Sequence, residues 1–188
     1  VWQDQWYDTK KFGGKFIRTE AQFRNFIGFD SEFTPDSGRY HLYVSLACPW
    51  AHRALIYRSL KDLDNHISYS VVNPYMLENG WTFEETFPGT TSDHLFSQKY
   101  LYQIYLKANP TYSGRVTVPV LWDKKNQTIV SNESSEIIRM FNCSFNKLTD
   151  NNLDFYPEKF KRIIDVINDF TYHNINNGVY KVGFATKQ

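Results

Sequence analysis

The spacing of apolar positions changes from that of a strand to that of a helix partway through the first half of the chain. Apolar residues alternate with smaller or polar ones over 40–46, which predicts a half-buried strand. From Trp50 onward they recur at helical spacing, which predicts a helix over 50–62. Cys48 and Pro49 therefore lie where the strand ends and the helix begins.

Further apolar runs predict the rest of a mixed α/β domain. The elements predicted after the first helix are a strand over 67–72, an irregular insertion over 74–114 with a helix over 94–107, strands over 116–122 and 127–130, and a helix over 133–142. This order, β-α-β, an insertion and β-β-α, is that of a thioredoxin-like domain, and the alternation of strands with helices favours a mixed sheet.

Beyond Pro157 the pattern is helical. Apolar residues recur at helical spacing from Phe160 to Phe170, which predicts a helix with one apolar face, and a short helical stretch is predicted over 172–176. Little chain follows to cover that face. The predicted organisation is an N-terminal extension or substrate-facing lid over 1–38, a thioredoxin-like domain over 39–145 and the beginning of a helical second domain over 146–188, within a longer protein.

Composition and charge narrow the classes of function. The 188 residues carry a formal net charge of +1, which gives no electrostatic reason to expect nucleic acid or an anionic membrane as a partner. No apolar run approaches the ~20 residues of a membrane span. Two cysteines do not make a disulfide scaffold, so we expect a reducing, cytoplasmic setting, with an organelle as the alternative.

Cys48 lies at the predicted start of a helix, where unpaired N–H groups and the helix dipole favour the thiolate, the nucleophilic form of cysteine. Pro49 suits the first helical position because it has no N–H to leave unpaired. His52 and Arg53, one turn later, either add positive potential or face solvent. A buried structural cysteine is the alternative, and the position at a strand-to-helix junction favours the reactive thiol.

The cysteine has no local partner. A dithiol oxidoreductase would carry a second cysteine at position 51, where this chain has alanine. A mixed disulfide on Cys48 therefore needs an outside thiol to resolve it. We expect Cys143, the other cysteine, to be packed rather than resolving. A monothiol with an external resolving thiol points to glutathione.

Two downstream segments fit a glutathione site. In a thioredoxin-like domain a proline just before the third strand is commonly cis, so that the preceding residue turns its backbone toward the cysteine. Val118-Pro119 has this place, and glutathione can pair there as an added strand; alternatively, Pro119 simply begins a strand. Glu133 and Ser134 place a carboxylate and a hydroxyl beside the free N–H donors of the next helix. The alternative there is an ordinary capping box that begins at Asn132.

Several segments together resemble one family. The segment Ser-Leu-Ala-Cys-Pro-Trp-Ala-His-Arg over 45–53 closely resembles the active-site segment of the glutathionyl-hydroquinone reductases, the omega-like Xi class of glutathione transferases. The other segments that match this family, in order, are 79–81, 115–123, 132–134 and 176–185. The resemblance is close over 40–188 and looser over 12–25.

The resemblance implies an α/β thioredoxin-like N-terminal domain with the start of an all-α C-terminal glutathione-transferase domain, in a protein that is a homodimer when full length. It implies that Cys48 is the nucleophile and that Tyr180 is the acid that protonates the departing hydroquinone. Without it, Tyr180 is either a packed aromatic or a site tyrosine in a loop-like segment. The residues that the resemblance places along the glutathione site are Trp81, Arg115, Val116, Thr117, Val118, Pro119, Glu133 and Ser134.

The expected activity is the removal of glutathione from glutathionyl-hydroquinones. Cys48 takes the glutathione as a mixed disulfide, and a second glutathione resolves it to give hydroquinone and oxidised glutathione. Glutathione is thus a co-substrate, and no His/Cys cluster suggests a metal. One alternative is glutaredoxin-like thiol transfer or dehydroascorbate reduction on the same cysteine. Another is a noncatalytic glutathione-transferase-like interaction domain, against which the presence of both Cys48 and Tyr180 argues.

Overall fold

The computed structural model describes residues 13–76 and 78–186. Its strands are β1 (Tyr40–Val44), β2 (Ile67–Val71), β3 (Val120–Asp123) and β4 (Thr128–Ser131). Its α-helices are α1 (Pro49–Leu60), α2 (Leu101–Ala108), α3 (Ser134–Cys143), α4 (Asn146–Thr149), α5 (Lys161–Thr171) and α6 (Asn177–Phe184). A 3-10 turn over Glu158–Phe160 precedes α5, and a π-helix over Tyr172–Asn176 joins α5 to α6. In this described part of the chain, no helix is long and apolar enough to cross a membrane.

The four strands form one mixed sheet in the order β2-β1-β3-β4. β1 is parallel to β2 and antiparallel to β3, and β3 is antiparallel to β4. The parallel pair is joined by α1, which packs against α3. This arrangement confirms the predicted mixed sheet, and it places the end of β1 and the start of α1 beside the segment that leads into β3.

Both faces of β1 are buried, so the prediction of a half-buried strand is wrong. All five of its residues are less than 9% exposed. Tyr40 packs edge-on against Phe145 near the end of α3, whereas Tyr43 packs edge-on against Phe83 of the insertion. The insertion covers the face that an alternating sequence would leave to solvent. The polar residue of β1 on that face, His41, forms hydrogen bonds with the side chains of Ser68 and Ser70.

The insertion is mostly irregular, and its helix is shorter than predicted because Asp93 organises the preceding turns. The buried Asp93 carboxylate accepts hydrogen bonds from the backbone N–H groups of Leu95, Phe96 and Gln98, at 3.0–3.2 Å. These bonds hold the segment in turns, and α2 begins only at Leu101.

His41 carries a pH-dependent contribution to stability. Its ring nitrogens lie 2.7 Å from the Ser68 Oγ and 2.9 Å from the Ser70 Oγ, and burial lowers the pKa of His41 to about 3. Between that value and the ordinary histidine pKa of about 6.5 the unfolded chain binds one proton more than the folded chain, so stability falls as the pH drops. We expect a slope of up to about 1.4 kcal/mol per pH unit below pH 6.

Urea unfolding at several pH values between 7 and 5 measures this slope directly. His41→Gln removes the titrating group and should flatten the dependence, even though it lowers the absolute stability. Equal slopes for the variant and the unsubstituted protein would contradict the assignment to His41.

Residues 21–38 pack on the sheet domain. Arg24 bridges Ser131 in an antiparallel pair, and the N–H of Asn25 donates to the Val130 carbonyl at 2.9 Å, which covers the edge of β4. Ile27 and Phe33 are buried in the core, so this part of the segment predicted as an extension or lid contributes to the core. The residues before 13, which include Phe12 at the start of the looser resemblance, lie outside the described residues.

The described residues fall into two compact units, 21–153 and 13–20 with 154–186. The second unit contains α5, the π-helix and α6. Helices are present where the helical pattern predicted them, and the apolar face of α5 is exposed: Ile163, Ile167 and Phe170 are each more than half accessible. The predicted domain boundaries at 38/39 and 145/146 stay predictions.

Candidate active site

Cys48 is the residue at which the chain turns from the β1 end of the sheet into α1. It is the N-cap of the helix with an extended backbone, at φ −99° and ψ 114°, and Pro49 follows at the first helical position. Its carbonyl accepts the N–H of His52 at 2.9 Å, while its own N–H donates to the Ser45 carbonyl at 3.1 Å. The thiol is therefore held, partly buried, at the N-terminal end of a twelve-residue helix.

The Val118 carbonyl is a backbone partner of the thiol. Cys48 Sγ donates to this oxygen at 3.6 Å, and the peptide bond between Val118 and Pro119 is cis, as the sequence predicted. β3 begins at Val120 rather than at residue 116. The reason is local: the backbone of Thr117 bonds to the side chain of Tyr105 in place of a neighbouring strand.

The N-terminus of α3 is capped by Glu133 rather than by Asn132, so the alternative of a capping box that begins at Asn132 is wrong. The Glu133 carboxylate accepts the N–H of Ser135 at 3.0 Å and its hydroxyl at 2.9 Å. Asn132 points elsewhere: its amide nitrogen donates to the Tyr105 hydroxyl at 3.2 Å, and its amide oxygen accepts the N–H of Phe23 at 3.3 Å.

Arg53 joins the helix that carries the cysteine to the start of α3. Its Nε and Nη2 donate to the Ser134 Oγ at 3.0 and 2.6 Å, and Nη2 lies 3.8 Å from the Glu133 carboxylate. Burial lowers the pKa of the Arg53 guanidinium from its ordinary value, and Glu133 opposes that shift. The Ser134 oxygen accepts from Arg53, which leaves its own O–H able to donate to a ligand.

The remaining sheet-domain candidates have contacts of their own. Val116 is buried in the core, and the carbonyl of Arg115 accepts the Tyr112 hydroxyl at 2.6 Å. Trp81, in the insertion, is buried, and its carbonyl accepts the N–H of Leu101, the first residue of α2. The indole Nε1 of Trp81 is buried and has no hydrogen-bond partner among the described residues. A donor of this kind is suited to a polar group of a bound ligand.

Tyr180 lies in α6, so the loop-like surroundings predicted for it are wrong: the Asn-Asn-Gly and Lys-Val-Gly sequences are helical. Its ring stacks on Phe16 at 5.7 Å between centroids, and the Arg18 guanidinium lies 4.3 Å from its centre. Arg18 in turn donates through Nε to Asn177 at 2.8 Å. Tyr180 belongs to the second unit, and its role stays a prediction.

Comparison with known proteins decides the family. The profile described as "Glutathione S-transferase, N-terminal domain" matches residues 47–143. The chain belongs to the glutathione S-transferase family. The chain is 59% identical over 196 residues to "Glutathionyl-hydroquinone reductase YqjG" of Escherichia coli (strain K12), covering the whole of this chain and 60% of that protein. It is 53% identical over 190 residues to "Glutathionyl-hydroquinone reductase PcpF" of Sphingobium chlorophenolicum, covering the whole of this chain and 59% of that protein.

Solved structures agree. The Xi glutathione S-transferase of Phanerochaete chrysosporium superimposes with a TM-score of 0.89 at 54% identity, over 92% of this chain and 60% of that one. The glutathione-bound structure of YqjG from Escherichia coli K-12 gives 0.86 at 59% identity, over 88% of this chain and 56% of that one. The predicted resemblance and the predicted fold are confirmed. The chain spans about 60% of the length of the curated relatives it matches.

One feature of the sheet domain differs from expectation, and another was not predicted. Cys143 is exposed, with its thiol donating to the Arg139 carbonyl at 3.2 Å, so the prediction that it is packed is wrong. The sequence did not predict the contact of Tyr105 with the segments before Pro119 and before α3, because a tyrosine on the apolar face of a helix belongs to no motif. Within the described ranges, no group of three or more His, Cys, Asp or Glu side chains is arranged to hold a metal ion.

Proposed function

We propose that this protein is a glutathione-dependent reductase that removes glutathione from glutathionyl-hydroquinones. The observation that carries the proposal is the lone thiol of Cys48 at the N-terminus of α1, 3.6 Å from the Val118 carbonyl, with alanine at position 51. Such a thiol can form a mixed disulfide but cannot resolve it locally. The names of the two reductases described above support glutathione as the outside thiol.

The first step transfers glutathione from the substrate to the enzyme. The Cys48 thiolate attacks the glutathione sulfur of the substrate, so that an S–S bond forms while the bond between that sulfur and the ring carbon breaks. The ring carbon takes the bonding electron pair and a proton, which we assign to the Tyr180 hydroxyl. The aromatic ring is thereby reduced, the two sulfurs are oxidised to a disulfide, and the hydroquinone leaves.

The second step restores the thiolate. A second glutathione, as its thiolate, attacks the glutathione sulfur of the mixed disulfide. Oxidised glutathione leaves and Cys48 returns as a thiolate, which its place at a helix N-terminus favours. Two electrons thus pass from the two glutathione sulfurs to the ring, and no other reductant is needed. The proton that the second glutathione loses on becoming a thiolate restores the Tyr180 hydroxyl.

Glutathione binding is assigned to three places around the thiol. The backbone beside Pro119 pairs with the cysteinyl part of glutathione as an added strand. The carboxylate of Glu133 takes the glutamyl ammonium, and the Ser134 hydroxyl, at the N-terminal end of α3, takes the glutamyl carboxylate. Trp81 contributes its unpaired indole N–H. Arg115, Thr117 and Val116 form the wall that leads to Pro119.

Loss of the Glu133 charge should weaken glutathione binding. Glu133→Gln keeps an oxygen to cap α3 but removes the charge that pairs with an ammonium, so we expect about a tenfold to hundredfold higher Kd. Calorimetric titration of the full-length protein with S-methylglutathione, which cannot form a disulfide, measures this. The matched control is Glu136→Gln on the same helix turn, whose carboxylate pairs with Arg24. Equal affinities for both variants would contradict the assignment of Glu133.

The activity itself is tested with a glutathionylated hydroquinone and excess glutathione, following free hydroquinone by chromatography. Release at a rate well above that without protein is the expected result. Faster turnover of small disulfides than of the hydroquinone thioether would favour the thiol-transferase alternative, and no turnover of either would favour the interaction domain.

We also propose that the full-length protein forms a homodimer in the cytoplasm. Both statements follow from the family resemblance and from the cysteine usage. Sedimentation of the full-length protein tests the first, and fractionation of the source cells tests the second.

A further inference from the structure

The hydroxyl of Tyr105 connects two segments that are far apart in sequence. Leu101, Ile104 and Tyr105 form the buried face of α2, and Tyr105 is completely buried. Its hydroxyl donates to the Thr117 carbonyl at 2.9 Å and accepts the N–H of the same residue at 3.2 Å. It also accepts the side-chain amide of Asn132 at 3.2 Å. One side chain therefore contacts the segment before Pro119 and the segment before α3.

These two segments lead directly to proposed glutathione contacts. Thr117 directs both of its backbone groups at Tyr105, whereas the next carbonyl, that of Val118, lies at the Cys48 thiol. Asn132 is followed at once by Glu133, which caps α3. The Tyr105 oxygen thus bonds to the residue that precedes Val118, whose carbonyl faces the thiol. It also bonds to the residue that precedes Glu133, whose carboxylate is assigned to the glutamyl ammonium.

The hydrogen-bonding capacity of the hydroxyl is fully used. A phenol has one hydrogen to donate and can accept two hydrogen bonds, and the carbonyl and N–H of Thr117 with the amide of Asn132 account for all of them. The Thr117 Oγ1 lies farther away, at 3.4 Å. Burial raises the pKa of Tyr105, so the group keeps its proton. Phenylalanine at this position would preserve the ring but leave the buried groups of Thr117 and Asn132 without their partner, and the two segments would relax independently.

We propose that Tyr105 is a positioning residue that fixes the separation of the two glutathione-binding segments and thereby sets the affinity for glutathione. The inference rests on the proposed function, since it assigns a role only if these segments bind glutathione. A positioning role differs from a purely structural role in one measurable respect. Loosening the two segments should weaken binding and raise the KM for glutathione, while turnover at saturating glutathione is retained because Tyr105 touches neither the thiol nor the substrate.

The test compares two buried tyrosines of the same domain in the full-length protein. Tyr105→Phe should raise the Kd for S-methylglutathione and the KM for glutathione about tenfold, with kcat within about twofold of the unsubstituted enzyme. The control is Tyr43→Phe, which removes a buried hydroxyl that donates to Asp93 at 2.9 Å. Both variants should lose thermal stability, but Tyr43→Phe should leave Kd and KM unchanged.

Each outcome is decisive. An unchanged Kd in Tyr105→Phe, or equal increases in both variants, would overturn the inference while leaving the proposed function intact. Failure of the unsubstituted protein to bind S-methylglutathione would overturn both. If Tyr105→Phe does not fold, Asn132→Ala provides the second test, because it removes one partner of the same hydroxyl. It should raise the Kd in the same direction, and an unchanged Kd there would also overturn the inference.

Discussion

Replacement of Cys48 by serine is expected to reduce glutathionyl-hydroquinone reduction by a factor on the order of a thousand or more. Serine is nearly isosteric and keeps a group that can donate to the Val118 carbonyl, so the fold and the glutathione site should persist. What is lost is the nucleophile: a hydroxyl at a helix N-terminus is not ionised near neutral pH, and it cannot form a disulfide. The decrease should lie in kcat, with glutathione still bound.

Two measurements make this prediction specific. Chromatography of free hydroquinone gives the rate, and mass spectrometry of the protein after substrate alone detects the mixed disulfide on Cys48. The chain supplies a matched control in Cys143→Ser, since Cys143 is exposed on α3 and donates only to the Arg139 carbonyl among its described backbone partners. This variant should retain the full rate. Retention of the rate in Cys48→Ser, or its loss in Cys143→Ser, would refute the assigned nucleophile.

The order of elements and the junction at Cys48 were predictable because each depends on local pattern. The change from period 2 to helical spacing marked the end of β1 and the start of α1, and a proline at the first helical position strengthened the boundary. The short bounded apolar runs around β2 and β4 were equally clear. These elements pack in the expected mixed sheet, and the resemblance carried by 45–53 and its companion segments then indicated the family.

What the sequence did not predict depends on contacts between distant residues. The burial of both faces of β1 depends on the insertion, whose irregular course gives no periodic signal. The alternative of a capping box that begins at Asn132 fails because Asn132 is engaged by Phe23 and Tyr105. A competition between partners of this kind cannot be evaluated from residue types alone.

The helical state of the Tyr180 segment shows a different limit. Gly178 and Gly183 lowered the helical expectation, since each glycine costs about 1 kcal/mol relative to alanine in a helix. Aromatic contacts among Phe16, Tyr180 and Phe184 stabilise α6 in spite of that cost. Weak local propensity was overridden by packing, which a single sequence does not reveal.

Tyr180→Phe is expected to slow the release of hydroquinone by about a hundredfold, within the range that a general acid contributes. The ring carbon that loses the sulfur receives an electron pair and needs a proton, which phenylalanine cannot supply. The stacking on Phe16 and the cation–π contact with Arg18 involve the ring rather than the hydroxyl, so they should survive the substitution. The matched control is Tyr156→Phe in the same unit, which removes a hydroxyl that donates to Asp165.

The choice of substrate separates the acid from a merely structural tyrosine. When Cys48 attacks a small disulfide such as bis(2-hydroxyethyl) disulfide, the leaving group is a thiolate, which departs without a proton. Tyr180→Phe should therefore keep its rate with this disulfide while losing its rate with the hydroquinone thioether. A parallel loss with both substrates would show that the tyrosine supports the site as a whole. Undiminished release of hydroquinone would show that another group, or water, protonates the ring.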